Sequence, residues 1–348
     1  MGSVVVERRG PKDDEELFRL YGDVFGAPLA ESSRRRWRWQ YLENPANAGV
    51  PEIWVARDRD LVLGQYASMP VRLWWGGREV RSSWGMDVFL KAEARGRGVG
   101  AQLFTTWSDH VEVALGLGLT PSSYGLFKKL RYDDVGPVPF FQKVLDPRAV
   151  AIRRLGPVLG PLAAPLLRLG VAVVAREGRR AEGIEVHPVA AFGEEYDALW
   201  ERARASYAMS VRRDRAYLNW KYTACPHRDY DRREARRGSE LAGYIVSRHE
   251  NYQGTRLGWI IDLFTAADDA EAQDALIGSV LDDFARAGVV RAQCFAMNAG
   301  LSRALRRRGF VAGRSPMQFC VRDHVGPREV LAETGRWHVT FGDSDMDR

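Results

Sequence analysis

The feature that most constrains the fold is an internal repeat, in which four patterns recur in the same order. Their offsets are 181, 179, 175 and 178 residues. The recurring pairs are Trp39-x-Tyr41-x-x-x-Pro45 with Trp220-x-Tyr222-x-x-x-Pro226, Gly64 with Gly243, Trp84-x-x-Asp87-x-Phe89 with Trp259-x-x-Asp262-x-Phe264, and Leu126–Tyr132 with Ala304–Phe310. Because order and spacing are both kept, we interpret the chain as two copies of one fold.

Length and composition agree with this interpretation. The 348 residues suffice for two domains of ordinary size, and 45% hydrophobic with 28% charged residues is typical of a globular protein with a sizeable core. The balance of 51 Lys and Arg against 45 Asp and Glu gives 51 − 45 = +6, which favours anionic ligands. The three cysteines lack metal-ligand spacing and the first residues lack a signal-peptide pattern, so we expect reduced thiols and a cytoplasmic location.

A glycine-rich turn joins a predicted strand to a predicted helix in the first copy. The strand covers Trp84–Leu90, and Gly96, Gly98 and Gly100 follow before the helical run 101–115. Such a turn leaves backbone N–H groups unpaired at the positive end of the helix dipole, an arrangement that holds phosphate. The turn has neither the Lys-Ser/Thr of a P-loop nor the G-x-G-x-x-G dinucleotide fingerprint.

The turn reads Arg95-x-x-Gly98-x-Gly100, which resembles the pyrophosphate loop of the GNAT acyltransferases, a family that binds acetyl-CoA there. The lead-in 90–95 is similar to the family's V-x-P-E-Y-R pattern but lacks its Pro and its aromatic residue. The alternative is a glycine-bearing β–α turn without a ligand. In the second copy, the residues after Phe264 lack the pattern and include four acidic side chains, which would repel a pyrophosphate. We therefore expect only the first copy to bind an acyl-CoA.

The resemblance implies an α/β protein of the α+β type with two tandem GNAT-like domains. Each domain is expected to contain a mixed, mostly antiparallel twisted sheet flanked by helices. The expected units are a catalytic acyl-CoA-binding domain at 1–146, an apolar, proline-containing linker or helix at 147–183, a degenerate GNAT-like domain at 184–325 and a C-terminal tail at 326–348.

The resemblance also implies where acetyl-CoA, or another acyl-CoA, would bind. The backbone N–H of Phe89 or Leu90 would polarise the thioester carbonyl, and the loop amides would hold the pyrophosphate. The fifth strand is expected to splay from the fourth and so to admit the pantetheine arm. The full set of expected binding residues is Val88, Phe89, Leu90, Arg95, Gly96, Arg97, Gly98, Val99, Gly100 and Ala101.

Two side chains are candidates for proton transfer. Asp87 is the only acid within the fourth strand and is the candidate general base. Since Asp262 occupies the same place in the copy without the loop, the alternative is that this aspartate serves the fold. Tyr124 is the candidate general acid, because Phe127 stands where many family members have a tyrosine. The alternative for Tyr124 is a packing role, with solvent protonating the thiolate.

Two further segments have more than one interpretation. The apolar run 155–175 contains three prolines and Arg168, which favour an interdomain helix over a membrane span and leave a peripheral membrane contact as an alternative. The tail carries Asp343-x-Asp345-x-Asp347 but not the Gly and Glu that complete a calcium loop. We expect a frayed acidic terminus. The alternative is that the strand around Trp337 docks and places carboxylates near an amine substrate.

The expected function is acyl-CoA-dependent N-acyl transfer, above all N-acetyl transfer, to an amine of a small molecule or amino sugar. One alternative is a Fem-type transferase that takes its acyl group from aminoacyl-tRNA. The basic helix at 34–38 would suit RNA, but the loop of the first copy favours CoA, and we do not expect a nucleic acid as partner. The other alternative is a non-catalytic CoA-sensing or partner-binding module.

Overall fold

The computed structural model describes residues 4–10, 13–47, 49–174 and 183–347. The first half comprises β1 (Val5–Arg8), α1 (Asp14–Phe25), α2 (Ala27–Tyr41), β2 (Ile53–Asp58), β3 (Leu61–Trp75), β4 (Arg78–Leu90), α3 (Val99–Ser108), β5 (Val113–Leu117), α4 (Pro121–Lys129), β6 (Asp133–Pro137) and β7 (Phe140–Val144). The long helix α5 (Pro147–Val174) follows.

The second half repeats this order of elements. It comprises β8 (Ile184–Pro188), α6 (Glu195–Ala203), β9 (Met209–Val211), α7 (Arg215–Leu218), β10 (Asp231–Arg237), β11 (Glu240–Tyr252), β12 (Thr255–Thr265), α8 (Ala270–Arg286), β13 (Arg291–Phe295), α9 (Ala299–Arg307), β14 (Val311–Gly313), β15 (Gln318–Asp323) and β16 (Trp337–His338).

Local sequence explains several of these boundaries. The β3–β4 hairpin turns at Gly76 and Gly77, whose φ angles of 57° and 93° are left-handed and suit glycine. Helix α4 begins after Thr120, whose hydroxyl accepts a hydrogen bond from the Ser123 N–H at 3.2 Å. Asn298 caps α9 in the same way, accepting from the N–H of Leu301 at 3.1 Å.

The strands form two mainly antiparallel sheets, which confirms the predicted fold class. The first sheet has the order β1-β2-β3-β4-β5-β15-β6, with β9 attached to β3 and β16 attached to β9. The second has the order β14-β7-β13-β12-β11-β10-β8. Along the main order of each sheet, one parallel pair interrupts the antiparallel order, β4 with β5 and β12 with β13. The attached strand β16 is also parallel to β9.

Strand membership does not follow the domain boundaries expected at 146 and 325. Strand β7 of the first half lies in the second sheet, where Phe141 pairs with Cys294. Strand β15 of the second half lies in the first sheet, where Cys320 pairs with Gly116. Each half completes the sheet of the other, so a cut at residue 146 would remove a strand from the second sheet.

The two halves are in contact at the repeated Trp-x-Tyr-x-x-x-Pro pattern. The rings of Trp39 and Trp220 stack with centroids 5.0 Å apart. The indole N–H of each donates to the main-chain carbonyl of the other, at 2.7 and 2.8 Å. Exchange of the two halves converts one hydrogen bond into the other, as expected when two copies are related by a pseudo-twofold axis. The largest cluster of buried apolar side chains draws on both halves and surrounds this contact.

Helix α5 occupies most of the segment expected as a linker, and residues 175–182 of that segment lie outside the described residues. The helix is broken at Gly156, whose φ of 79° is left-handed. No helix in the described part of the chain has both the length and the apolar character needed to cross a bilayer.

Candidate active site

The parallel pair β4–β5 opens partway along its length. Pairing covers only Ser82–Trp84 with the start of β5, from Val113 to Leu115. Strand β4 continues to Leu90, so its last residues diverge from β5. Backbone groups along this divergent edge have no β5 partner and are available to a ligand inserted between the strands. The splay expected from the sequence is confirmed.

A β-bulge at Asp87 shapes the divergent end of β4. The register with β3 shifts between the pairs Ala67–Met86 and Gln65–Phe89, and Asp87 has a left-handed φ of 42°. The side-chain amide of Gln65 donates to the Asp87 carbonyl at 3.1 Å, which satisfies a main-chain acceptor released by the bulge.

Steric crowding in this bulged region explains why position 64, which belongs to the repeat, is a glycine. A side chain there would collide with the carbonyl oxygen of Phe89 on the neighbouring strand. Gly243 lies in the same way against the carbonyl of Phe264 in the second half. The repeated glycines therefore allow close approach of two strands, and they bind nothing themselves.

The glycine-rich loop lies directly beyond β4. After a short 3₁₀ turn, Gly96 and Gly98 adopt left-handed φ angles of 74° and 83°, and α3 begins at Val99. Arg95 and Arg97 are exposed, and the Arg95 guanidinium donates to the Leu90 carbonyl at 3.3 Å. The first N–H groups of a helix lack intrahelical acceptors, so this end of α3 can hold an anion.

Asp87 faces helix α2 from the bulge. Its Oδ2 accepts a hydrogen bond from the Tyr41 hydroxyl at 2.7 Å and lies 3.4 Å from the Gln40 amide nitrogen. Burial and the neighbouring Asp87 charge raise the pKa of Tyr41 well above its usual value, so Tyr41 stays protonated and donates. Asp87 itself is 9% exposed. The Tyr41 hydroxyl therefore fixes the orientation of the Asp87 carboxylate.

Tyr124 lies on helix α4, next to strand β6 of the first sheet. Its hydroxyl donates to the Asp134 carboxylate on β6, and Lys128 lies 4.3 Å from its ring. That hydrogen bond, with partial burial, raises the pKa of Tyr124 to about 12. Strand β15 separates β6 from β5, so the hydroxyl is engaged away from the β4–β5 opening. Phe127 is buried against Gly116 and contributes packing. Asp87 and the loop both follow from the divergent end of β4, and the base role of Asp87 and the acid role of Tyr124 stay predictions.

A narrow cleft beside Asp87 was not anticipated. It lies between α2 and the tail, and Gln40, a partner of Asp87, forms part of its wall. Burial and the charges of Arg36 and Arg228 lower the pKa of His227 to about 4, so this imidazole is neutral near pH 7. Among the charged and polar side chains that line the cleft are Arg36, Lys221, His227, Asp345 and Asp347. The joint recurrence of Tyr41 with Asp87 and of Tyr222 with Asp262 was the signal that could have linked α2 to the bulge.

Asp262 is the counterpart of Asp87 in the second half and has a different environment. It is fully buried and accepts hydrogen bonds from Tyr222 at 3.1 Å, Tyr244 at 2.8 Å and Thr340 at 3.0 Å. The buried Arg213 guanidinium lies 3.1 Å from it. Burial opposes ionisation, but the charge of Arg213 outweighs it and the pKa of Asp262 is lowered. This aspartate is part of a closed ion-pair network.

The tail fills the opening between β12 and β13, the counterpart of the opening in the first half. The Met297 N–H donates to the Val339 carbonyl at 3.1 Å, and the Gly342 N–H donates to the Ile261 carbonyl at 2.7 Å. Phe341 stacks on Trp259 and packs against the neighbouring ring of β13, with centroid distances of 4.9 and 5.4 Å. The expectation of a frayed terminus is wrong, because main-chain bonds and buried rings hold this segment.

The end of the tail reaches the first half. Lys221 donates to the Ser344 carbonyl at 2.6 Å, and the Tyr230 hydroxyl donates to Asp347 at 2.9 Å. The Met346 side chain lies directly over Gly118, at the end of β5. The tail therefore closes the opening between β12 and β13 and borders the opening between β4 and β5.

Comparison with known proteins supports this description of the fold. Residues 7–133 match the family model described as the acetyltransferase (GNAT) domain. No curated protein sequence matches the chain.

Similar solved structures include a GCN5-related N-acetyltransferase from Anabaena variabilis, at 15% identity and a TM-score of 0.64, covering 93% of this chain and 73% of that one. Eis1 from Mycobacterium abscessus is similar at 15% identity and a TM-score of 0.57, with 92% and 74% covered. N-myristoyltransferase from Saccharomyces cerevisiae with bound myristoyl-CoA is similar at 12% identity and a TM-score of 0.56, with 92% and 83% covered. At these identities the likeness shows the fold.

The splayed sheet and the matched domain define an acyltransferase fold. Residues 7–133, in the first half, match the GNAT domain, and the chain as a whole has the fold of the similar GNAT structures.

Proposed function

We propose that the protein is an acyl-CoA-dependent N-acyltransferase, with acetyl-CoA as the expected donor and an amine of a small molecule or amino sugar as acceptor. The observation that supports this most is the opening between β4 and β5 with a glycine-rich loop at its end. A side chain at Gly96 or Gly98 would meet no other atom of the described residues within 4 Å, so the space above the loop is free for a diphosphate. In the second half the tail occupies the equivalent opening.

The donor supplies an acyl thioester, whose carbonyl carbon is the electrophile. The loop amides from Arg95 to Ala101 would bind its pyrophosphate, and the N–H of Phe89 or Leu90 would polarise its carbonyl. These groups come from one continuous stretch, because β4 leads directly into the loop and α3. Positioning of the thioester therefore depends on the bulge, which sets the direction of the last residues of β4.

Asp87 would act as the general base, directly or through a water molecule. It would take the proton that the amine loses as the C–N bond forms and the C–S bond breaks. The Tyr41 hydrogen bond orients the carboxylate. The departing thiolate takes its proton from solvent or from Tyr124, whose hydroxyl must first leave Asp134.

The acceptor would approach Asp87 from the side of α2 and the tail, where the cleft has a volume of only about 10 Å³ and would have to widen. Gln40 links this cleft to Asp87, and Asp345 contributes a negative charge that also acts on Tyr41. Asp345 and Asp347 line this cleft together with Arg36 and Lys221, so the acceptor would meet groups of both charges. The amine would arrive in its neutral form and leave its one proton on Asp87 as the C–N bond forms. The tail carboxylates are proposed to belong to the acceptor site.

The test combines acetyl-CoA binding by calorimetry with thiol release across a panel of amines. Asp87→Asn is expected to bind acetyl-CoA as wild type does and to lose about 10²–10⁴-fold in kcat. Tyr124→Phe with unchanged rate and pH profile assigns thiolate protonation to solvent. Gln65→Glu is not a suitable control because it alters the bulge. Asp134→Asn is the matched carboxamide variant, and the carboxylate that it replaces accepts from the Tyr124 hydroxyl and from the Gly136 N–H.

Three outcomes contradict the proposal. Binding of acetyl-CoA without thiol release for any amine favours the non-catalytic CoA-sensing module. Aminoacyl transfer from charged tRNA with no binding of acetyl-CoA favours the Fem-type alternative. Full activity in Asp87→Asn removes this residue as the base.

A further inference from the structure

The part of α5 after Gly156 exposes an apolar stripe. Five aliphatic residues at helical spacing lie on one face of this segment. Their exposed fractions range from 59% for Leu159 to 76% for Leu166. The stripe consists of Val158, Leu159, Leu162, Leu166 and Leu169. Isolated exposed leucines are ordinary, but a continuous apolar face on one helix marks a surface that binds something.

A cleft rich in arginine lies at the base of the same helix. Its volume is about 1210 Å³, and it lies between the start of α5, the β11–β12 hairpin and β13. Four guanidinium groups line it, and no acidic residue does. They belong to Arg153, Arg154, Arg256 and Arg291. This arginine cleft therefore carries a concentrated positive charge.

The arginines of the cleft have neutral partners in place of carboxylates. Arg153 donates to the Gln253 carbonyl at 3.3 Å, Arg256 to the Ala287 carbonyl at 2.6 Å, and Arg291 to the Gln142 side chain at 3.1 Å. In the described part of the chain none of the four forms an ion pair with Asp or Glu. Burial and the charges of Arg154 and Arg153 lower the pKa of Arg291. The cleft would therefore gain stability from an anionic ligand.

The break at Gly156 places the two features side by side. Its left-handed backbone turns the helix, and Gly160 then packs against the backbone of Ile152 in the preceding segment. Only a glycine permits this approach. The apolar stripe therefore lies on the helical segment after the break, and the segment before the break lines the arginine cleft.

We propose that this face binds the surface of a bilayer that contains anionic phospholipid. The apolar stripe would lie at the boundary between headgroups and acyl chains, and the arginine cleft would hold headgroup phosphates. A lipid surface offers apolar acyl chains and anionic headgroups together, which matches the apolar stripe and the arginine cleft on the two segments of one helix. The binding is peripheral, because α5 is not a candidate for spanning the membrane.

The experiment is co-sedimentation of the full-length protein with phosphatidylcholine vesicles, with and without phosphatidylglycerol. Binding is expected only with phosphatidylglycerol and is expected to fall with added salt. Leu162→Glu with Leu166→Glu should weaken binding at least about tenfold, because two charges enter the apolar boundary. Arg153→Gln with Arg154→Gln should weaken it about 25-fold, roughly fivefold for each arginine.

Matched controls change the same side chains elsewhere. Leu61→Glu alters a leucine that is 46% exposed on the first sheet. Arg35→Gln with Arg38→Gln removes two exposed arginines of α2. Both controls should bind vesicles as wild type does. Thermal unfolding checks that each variant is folded. The leucine pair alters the apolar stripe and the arginine pair alters the arginine cleft, so each pair is an independent test of the proposal.

Three results would overturn the proposal. One is wild-type protein that does not bind phosphatidylglycerol vesicles. Another is a stripe variant that binds as tightly as wild type, since the arginines would then act on any polyanion. The last is a dimer in analytical ultracentrifugation that the stripe variant dissociates, because a second copy would then cover the stripe.

Discussion

Asp87 and Asp262 occupy the same position in the two copies of one fold, and each accepts a hydrogen bond from the tyrosine of the same repeated pattern. Their remaining partners differ. Asp262 is surrounded by Arg213, Tyr244 and Thr340 and has no exposed surface. Asp87 lies beside the Gln40 amide of α2, which lines the narrow cleft between α2 and the tail. The Asp262 carboxylate is fixed in a buried ion pair with Arg213, and the contacts described for Asp87 are a tyrosine hydroxyl and an amide.

The tail accounts for much of this difference. It supplies Thr340 and Asp343 to the network around Arg213, and its backbone closes the opening of the second sheet. The recurrence of the aspartate in both copies suggested a shared role in the fold. The contacts show that a repeated residue can have two roles, because its function depends on what covers it.

Loss of the Asp262 charge is expected to have the largest effect on stability. Asp262→Asn leaves Arg213 buried with only the Asp343 carboxylate, at a cost of about 3–5 kcal/mol in the free energy of unfolding. Asp87→Asn should cost less than about 1.5 kcal/mol, because an amide oxygen still accepts from Tyr41. Urea unfolding of both variants measures the contrast. Equal losses would mean that the two aspartates serve the fold alike, and Asp262→Asn with Arg213→Met should recover part of the loss.

Removal of the Phe341 ring tests whether packing of the tail between β12 and β13 stabilises the protein. Phe341→Ala should lower the free energy of unfolding by about 3 kcal/mol, because a cavity forms between Trp259 and Phe295. Tyr252→Ala, at an aromatic residue that is 55% exposed, is the control and should have little effect. An unchanged unfolding midpoint for Phe341→Ala would contradict the docked tail.

Two glycine substitutions separate backbone strain from ligand binding. Gly98 and Gly238 both have left-handed φ angles, 83° and 61°, and a side chain at either would meet no other described atom within 4 Å. Alanine should cost about 1–2 kcal/mol of stability at each position. Only Gly98→Ala should also weaken acetyl-CoA binding, by at least about tenfold, since its Cβ would enter the phosphate space. Equal affinity in the two variants, measured by calorimetry, would remove the loop from the binding site.

The smallest expected effect is a pH dependence of stability caused by His227, which packs against Trp39 on one side of the tryptophan stack. Burial and nearby arginines lower the pKa of His227 from 6.5 to about 4, and its neutral ring packs 5.3 Å from Trp39. Between pH 6.5 and 4 the unfolded chain binds this proton and the folded protein does not. Stability is therefore complete above pH 6.5 and falls by about 1–2 kcal/mol as the pH drops to 4.

His227→Gln should remove this part of the pH dependence, which urea unfolding at several pH values measures. The first half has Ala46 at the position that the repeat offset of 181 gives, so no matching histidine exists there. The same slope in wild type and variant would show that His227 is accessible to protons in the folded state.

Several features of the fold could be predicted from local sequence. The order of strands and helices follows from periodicity and turns, and the glycine-rich loop follows from a strand that leads directly into a helix. The duplication was visible because Trp39, Asp87 and their counterparts recur at nearly constant spacing. The divergence of β4 and β5 was expected from the family resemblance, and the pairing that ends at Trp84 confirms it.

Other features depended on contacts between residues distant in sequence. The pattern of β7 shows that it is a strand, but nothing local shows that Phe141 pairs with Cys294 instead of a strand of its own half. The hydrogen bond of Tyr124 to Asp134 also could not be predicted, because β15 of the second half lies between β5 and β6 and sets the position of β6.

The sequence by itself determined that this chain is a duplicated fold with one glycine-rich loop, because both depend on spacing along the chain. Tertiary structure alone decided which strands complete each sheet, and it decided that the tail occupies the second opening. The physical reason is that strand pairing and burial maximise contacts over the whole molecule. An apolar residue such as Phe341 does not specify which of several apolar surfaces will cover it.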